Sequence, residues 1–133
     1  MKTKRMVIFT DGVSRGNPGR AAIGAIIRDE RGTVIASISR SIGRATNNLA
    51  EYAALIAALQ EAIKAGASQV EVRSDSELIV RQINGRYRVK NAALVPLHNK
   101  VRELQGQLES FSISHIPREQ NVEADRLANM ALD

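Results

Sequence analysis

The chain has 133 residues, no cysteine and a formal net charge of +5. This length predicts one domain with a core of its own, and the lack of cysteine excludes disulfides and thiolate metal sites. The N-terminus has no leader-like apolar stretch and no apolar run is long enough to span a membrane, which favours a cytoplasmic protein. The basic charge permits a polyanionic partner.

The first third of the chain predicts three strands. Residues 4–11 contain a short apolar run that is typical of a buried strand, and residues 14–19 are rich in turn-forming Gly, Asn and Pro. Residues 21–29 predict a second strand, residues 30–32 a tight turn, and residues 33–42 a third strand. Three strands joined by short turns indicate an antiparallel meander.

From residue 46 the apolar spacing becomes helical. Leu49, Ala53, Ile56 and Ile63 share one face of a helix that Thr46 or Asn47 can cap and that ends near residue 66. The remaining elements are predicted as a strand at 69–75, helices at 76–83 and 94–108, a strand at 111–116 and a helix at 122–132. The order βββαβααβα predicts one mixed sheet flanked by helices.

Four carboxylates stand where a predicted strand ends or a predicted helix begins: Asp11, Glu51, Asp75 and Asp125. Asp11 could belong to a turn and Asp75 could cap the next helix, while the other two could face solvent. Their joint placement says more, because ligand sites of parallel sheets lie beyond the carboxyl ends of the strands. Gathered acids repel unless cations hold them, so the pattern indicates a divalent-metal site.

Four segments are specific in combination: TDGVSRGNPG, ATNNLAEYAAL, VRSDSELIVRQINGRYRVKN and HIPREQNVEADRLANMA. In this order they resemble the motifs of type 1 ribonuclease H, and they span nearly the whole chain. The resemblance implies a ribonuclease H-like α/β fold, with a five-stranded mixed sheet of order 3-2-1-4-5 whose strand 2 is antiparallel. It also implies a single catalytic domain over residues 1–133.

The family carries an Asp, Glu, Asp, Asp quartet, and the matching positions are Asp11, Glu51, Asp75 and Asp125. The resemblance implies that they hold two Mg²⁺ ions, or Mn²⁺ as a substitute. Asp11 would bridge both ions, Asp125 would serve the ion that activates water, and the other two would hold the leaving-group ion. Carboxylate oxygens suit Mg²⁺, and paired ions can promote phosphodiester hydrolysis. The implied reaction cuts the RNA strand of RNA/DNA hybrids, leaving 5′-phosphate and 3′-hydroxyl ends.

The resemblance also implies two groups of substrate contacts. One group lies along the RNA minor groove, where 2′-hydroxyls distinguish RNA from DNA: Gly12, Ser14, Gly16, Asn17 and Asn48. The other grips a phosphate of the DNA strand: Arg44, Thr46 and Asn47. Simpler roles stay open, because residues 16–19 could form an ordinary turn and either Asn47 or Asn48 could cap the helix.

Two departures from the family pattern concern binding and turnover. A basic protrusion that some relatives insert after the second helix is missing, and Arg86, Arg88 and Lys90 are predicted to bind the substrate there with modest, salt-sensitive affinity. The loop before the last helix is short and contains Arg118 where longer relatives have a mobile catalytic His. An Arg stays charged at neutral pH, so Arg118 is predicted to bind the scissile phosphate or favour product release. An ordinary surface Arg is the alternative.

Other functions remain as alternatives. Cleavage of double-stranded RNA is one, because the short form lacks some hybrid-gripping parts. A non-catalytic nucleic-acid-binding module of the same fold is another, although a pure binder gains nothing from clustered acids that face phosphates. A small-metabolite enzyme on a Rossmann-like sheet would need a G-x-G-x-x-G turn, which the sequence lacks. The predicted partner is a nucleic acid duplex, with no membrane and no obligate protein partner implied.

Overall fold

The computed structural model describes residues 4–133, so the prediction made for the N-terminus falls partly on residues 1–3, outside the described residues. Its elements are β1 (Arg5–Gly16), β2 (Gly19–Asp29), β3 (Val34–Ala45), α1 (Asn47–Lys64), β4 (Gln69–Ser74), α2 (Glu77–Ile83), α3 (Val95–Gln105), β5 (Ser110–His115) and α4 (Val122–Met130). A short 3₁₀ turn, Arg118–Gln120, precedes α4. Within residues 4–133, no helix combines the length and apolarity needed to cross a bilayer.

The five strands form one sheet in the order β3-β2-β1-β4-β5. Strand β2 runs antiparallel to both of its neighbours, whereas β1, β4 and β5 are parallel. Parallel neighbours need long crossover connections, which here carry α1 in the first case and α2 with α3 in the second. The predicted mixed sheet, its strand order and the antiparallel β2 are confirmed.

Strand β1 is longer than the sequence predicted. It continues past Asp11 to Gly16 because it stays paired with β2 throughout, so the turn is confined to residues 17–18. The prediction that this strand ends at Asp11 is wrong. The parallel pairing with β4, however, ends at Thr10 and Ser74. Asp11 therefore lies one residue beyond the end of the parallel pair, the position at which parallel sheets build ligand sites.

Two hydroxyl side chains cap the helices that follow the sheet edge. Thr46 Oγ1 accepts the N–H of Leu49 at 3.2 Å and begins α1. Ser76 Oγ accepts the N–H of Ile79 at 3.4 Å and begins α2. Thr46 and Ser76 are therefore the N-caps of α1 and α2. Two alternatives that the sequence left open are excluded, namely Asn47 as the cap of α1 and Asp75 as the cap of α2.

The core between the sheet and α1 is largely aliphatic, and its one buried tyrosine has a polar partner. The ring of Tyr52 in α1 is fully buried, and its hydroxyl donates to Gln82 Oε1 of α2 at 2.6 Å. Burial raises the pKa of Tyr52 to about 12, because the phenolate would lose its hydration. The bond ties α1 to α2 at the residue that follows Glu51.

Helices α1 and α4 approach opposite faces of the sheet as closely as glycine permits. A Cβ on Gly12 would lie 2.3 Å from the carbonyl carbon of Ala50 in α1, and a Cβ on Gly24 would lie 2.2 Å from the carbonyl oxygen of Ala124 in α4. Gly24 pairs with Asp11, so the two glycines point to opposite faces, because successive strand residues alternate. The next residues along these helices are Glu51 and Asp125. The glycine contacts therefore set where both carboxylates stand.

We expect Gly24→Ala to destabilise the protein by on the order of 1–3 kcal/mol, because the new methyl group must push α4 off the sheet. Urea unfolding followed by circular dichroism measures the change. Gly106→Ala is the matched control, since Gly106 has helical backbone angles and its nearest neighbour would be 3.4 Å away. The control should be neutral or slightly stabilising. Equal stability of the Gly24 variant and the wild type would contradict the close-packing argument.

Candidate active site

Three carboxylates gather beyond the carboxyl ends of β1 and β4. One oxygen from each of Asp11, Glu51 and Asp75 lies within 4.8 Å of the other two. Asp11 is only 5% exposed, and the other two are half-buried. Three residues that are far apart in the chain thus present hard oxygen atoms to a common point.

The backbone holds Glu51 in this group. The N–H of Gly12 donates to Glu51 Oε1 at 2.5 Å, a contact that the close approach of α1 to β1 makes available. A backbone donor is fixed in direction by the strand, so the carboxylate is oriented before any ligand arrives. Gly12 therefore has two roles, since it also leaves the room that α1 occupies.

Asp125 reaches the site from α4, across the sheet from α1. It lines the same cavity of about 470 Å³ as the other acids, but it lies outside the group of three whose oxygens fall within 4.8 Å. Burial is the main cause of the raised pKa of Asp11, and the neighbouring Asp125 carboxyl adds to it. The four predicted acids thus form three close carboxylates with a fourth beside Asp11.

Burial and mutual repulsion shift the pKa of two of these acids upward. Burial, and then the charges of Glu51 and Asp75, raise the pKa of Asp11 to about 9. Burial also raises the pKa of Glu51 to about 8, with the Gly12 N–H and the Arg118 charge opposing the shift. In the absence of a cation the site therefore favours protonated carboxyls. A bound cation would favour the fully ionised set.

The donors around the cavity fit a hard divalent cation. They are carboxylate oxygens, and the chain has no cysteine. Among the described residues that line the cavity there is no histidine. Oxygen-only sites suit Mg²⁺ and Mn²⁺, whereas zinc and copper sites use sulfur or imidazole.

Several predicted substrate contacts line the same cavity. They are Gly12, Ser14 and Asn47, together with Arg118 on the short turn before α4. The other predicted contacts, Gly16, Asn17, Arg44, Thr46 and Asn48, belong to the adjoining β1–β2 turn, the end of β3 and the start of α1. Two bonds join these elements: Asn17 Oδ1 accepts the N–H of Asn47 at 3.1 Å, and the Ser14 hydroxyl donates to Ala45 O at 2.7 Å. The hairpin and the helix start therefore form one surface beside the acids.

The predicted basic contacts lie apart from the acids. Arg86 and Arg88 line a separate cavity of about 520 Å³ between α2 and α3, which Tyr87, His98 and Arg102 also line. Lys90 is exposed in the same connection but outside that lining. The structure thus brings Arg86 and Arg88 together without placing them in the acidic cavity.

Sequence reasoning missed two asparagines. Asn121 is 1% exposed, and its Nδ2 donates to Thr10 O at 2.9 Å, which ties the start of α4 to β1 beside Asp11. The Nδ2 of Asn129 donates to the Asp125 carboxylate at 3.2 Å. The available signal was their spacing, because residues four apart lie on one helix face. Asn121 and Asn129 stand four residues on either side of Asp125.

Comparisons with known proteins agree with this geometry. A family described as reverse transcriptase-like matches residues 9–131. A ribonuclease HI of Halobacterium salinarum is 44% identical over 97% of this chain and 65% of its own length. A bifunctional protein of Mycobacterium tuberculosis is 45% identical over 97% of this chain and 36% of its own length. This chain therefore spans about a third to two thirds of those relatives.

Solved structures are similar over almost their full length. The crystal structure of the Halobacterium ribonuclease H1 has a TM-score of 0.95 at 44% identity, and the match covers 97% of this chain and 98% of that one. LC11-RNase H1, in complex with an RNA/DNA hybrid, has a TM-score of 0.92 at 45% identity, with 96% of each chain covered.

One relative is matched almost from end to end. A ribonuclease H of Clostridium botulinum is 32% identical, and the match covers 98% of this chain and 97% of that protein. With the family match over residues 9–131, this similarity shows that the chain belongs to the ribonuclease H family.

Proposed function

We propose that this chain is a divalent-metal-dependent endoribonuclease that hydrolyses the RNA strand of RNA/DNA hybrids to 5′-phosphate and 3′-hydroxyl products. The observation that carries the proposal is the group of three carboxylates whose oxygens lie within 4.8 Å of one another. Gathering three partly or fully buried carboxylates costs free energy, and a protein that only binds nucleic acid would gain nothing from it. Further support comes from the similar LC11-RNase H1, which has been crystallised with an RNA/DNA hybrid.

In this proposal the four acids hold the cations: Asp11, Glu51, Asp75 and Asp125. When bound, two Mg²⁺ or Mn²⁺ ions supply an activated water and stabilise the leaving 3′ oxygen. Asp11 stands between acids from the two faces of the sheet, because Glu51 comes from α1 and Asp125 from α4. The Gly12 N–H holds Glu51 in place, so the carboxylates need little rearrangement.

The surface beside the acids would select the substrate. We assign the RNA minor groove to Gly12, Ser14, Gly16, Asn17 and Asn48, and a DNA-strand phosphate to Arg44, Thr46 and Asn47. The bond from the Asn47 N–H to Asn17 Oδ1 supports this assignment, because it joins the two groups. We also propose that Arg86, Arg88 and Lys90 add salt-sensitive backbone contacts. Residues 1–133 would form the catalytic domain of a cytoplasmic protein whose partner is nucleic acid.

The proposal is tested by incubating labelled RNA/DNA hybrid, double-stranded RNA and single-stranded RNA with Mg²⁺ or Mn²⁺. We expect cleavage of the hybrid, and a loss on the order of 10³-fold or more in Asp11→Asn, because that change removes a central metal-binding carboxylate. Asp29→Asn is the matched control at the far end of β2. Wild-type binding without cleavage of any substrate would favour the non-catalytic module, and preferential cleavage of double-stranded RNA would reassign the substrate.

Arg118 is proposed to bind the scissile phosphate or favour product release. It lines the acidic cavity, and its charge opposes the rise in the pKa of Glu51 that burial causes. We expect Arg118→Ala to lower kcat by about 10- to 100-fold, because a fixed positive charge beside a transferring phosphate stabilises the transition state by about 1–3 kcal/mol. Steady-state kinetics on the hybrid measure the effect. The control is Arg31→Ala, at the opposite end of the sheet. Near-normal turnover would make Arg118 an ordinary surface residue.

The stability of the metal-free protein is expected to fall as pH rises. The pKa values of Asp11 and Glu51 are raised to about 9 and about 8, whereas carboxyls in an unfolded chain have pKa values of about 4. Between these pKa values the folded state holds protons that the unfolded state has released. The protons contribute their full stabilisation below about pH 4, and this stabilisation is lost progressively as the pH rises to about 9. Asp11→Asn should flatten this decline and raise the Tm at pH 8 by about 5 °C.

Thermal denaturation in EDTA from pH 5 to 9 measures this dependence, with Asp29→Asn as the control. Added Mg²⁺ should restore the stability of the wild type at pH 8, because ligand binding to the folded state alone is stabilising. An identical pH slope for the wild type and Asp11→Asn would show that the repulsion among these acids does not limit stability.

A further inference from the structure

The side chain of Asn129 turns back along α4 toward Asp125, one helical turn earlier. Its Nδ2 donates to the backbone carbonyl of Asp125 at 2.9 Å and to Asp125 Oδ1 at 3.2 Å. Both residues are half-buried and both line the acidic cavity. A single amide group thus holds the main chain and the carboxylate of the same residue.

The bond to the carbonyl alone does not account for an asparagine here. In a regular α-helix that carbonyl already accepts the backbone N–H from four residues on. Asparagine is a poor helix former, because its side chain competes with the backbone for hydrogen bonds. The contact that a residue without a side-chain amide could not make is the hydrogen bond from Asn129 to the Asp125 carboxylate.

Asp125 differs from Glu51 and Asp11 in what orients its side chain. Glu51 receives a backbone N–H at 2.5 Å, and Asp11 lies within the sheet, paired with Gly24. Asp125 stands on a nine-residue helix and outside the group of three close carboxylates. Its direction is therefore set by a side chain, and among the described residues Asn129 makes that contact.

We propose that Asn129 is a positioning residue for Asp125: its amide fixes the carboxylate rotamer and occupies one acceptor direction of Oδ1, so that the remaining acceptor sites are presented to a divalent cation. This inference rests on the proposed function, because it concerns the same metal site. It predicts that metal affinity, and not binding of the nucleic acid, depends on Asn129.

The expected effect is a loss of metal affinity on the order of tenfold, as for other residues that orient metal ligands. Without the amide, the side chain of Asp125 samples several rotamers and must be ordered when the cation binds. The KM for the hybrid should stay within about twofold, because contacts with the substrate are unchanged.

Two variants separate positioning from helix stability. Asn129→Leu keeps the approximate shape of the side chain and removes the donor. Asn129→Ser keeps a hydroxyl that can bond the carbonyl four residues earlier, but it is too short to hold the carboxylate. We expect both variants to bind Mn²⁺ about tenfold more weakly in calorimetric titrations without nucleic acid, and to need correspondingly more Mg²⁺ for half-maximal cleavage.

The matched control is Asn84→Leu, at a position away from the acids. It removes the hydrogen bond that Asn84 Nδ2 donates to Ile113 O at 3.2 Å, and this variant should bind Mn²⁺ like the wild type. If Asn129→Leu does not fold, the Ser variant decides. Wild-type Mn²⁺ affinity in Asn129→Ser would overturn the inference. If the wild type neither binds Mn²⁺ nor cleaves the hybrid, the proposed function fails and the inference with it. If the wild type cleaves but binds Mn²⁺ only when nucleic acid is present, the Mg²⁺ concentration for half-maximal cleavage decides, and an unchanged value in Asn129→Ser overturns the inference. If the wild type binds Mn²⁺ and cleaves while the variants bind equally well, the inference alone fails.

Discussion

Two contacts between a strand glycine and a helix backbone set the geometry on which the site depends. At Gly12 the sheet meets the backbone of α1, and at Gly24 it meets the backbone of α4. Neither helix can come closer, and neither strand position can carry even a methyl group without displacing its helix. Because Glu51 and Asp125 follow directly after the contacted residues, backbone packing determines their spacing from Asp11. Glu51 and Asp125 are therefore held where a helix backbone packs directly against a strand.

This close packing bears on the electrostatics of the site. Flexible acids could move apart and stay ionised, whereas here burial and neighbouring charge raise the pKa values of Asp11 and Glu51. The fold thus bears an unfavourable charge arrangement that a divalent cation would relieve. The repulsion among the carboxylates lowers the stability of the metal-free fold and favours binding of a cation. Such a loss of stability is common at sites that are organised for catalysis.

The sequence was sufficient for what depends on local patterns and on a specific resemblance. Apolar periodicity and capping residues predicted the elements, and the motifs predicted the strand order. Three features required the structure. The extension of β1 to Gly16 depends on its pairing with β2. The clash that excludes a side chain at Gly24 comes from α4, about a hundred residues later. The bond from Asn129 to the Asp125 carboxylate depends on the side-chain conformations, which the spacing alone does not give.

The chain has no tryptophan and only two tyrosines, and they occupy contrasting places. Tyr52 is buried one residue after Glu51, with its hydroxyl bonded to Gln82. Tyr87 is exposed in the basic connection between α2 and α3, with the guanidinium of Arg81 at 5.2 Å from its ring centre. Intrinsic fluorescence therefore comes from two distinguishable positions. A Tyr87→Phe protein would carry a single tyrosine, buried where α1 packs against α2, so that tyrosine fluorescence would report on this packing without any attached dye.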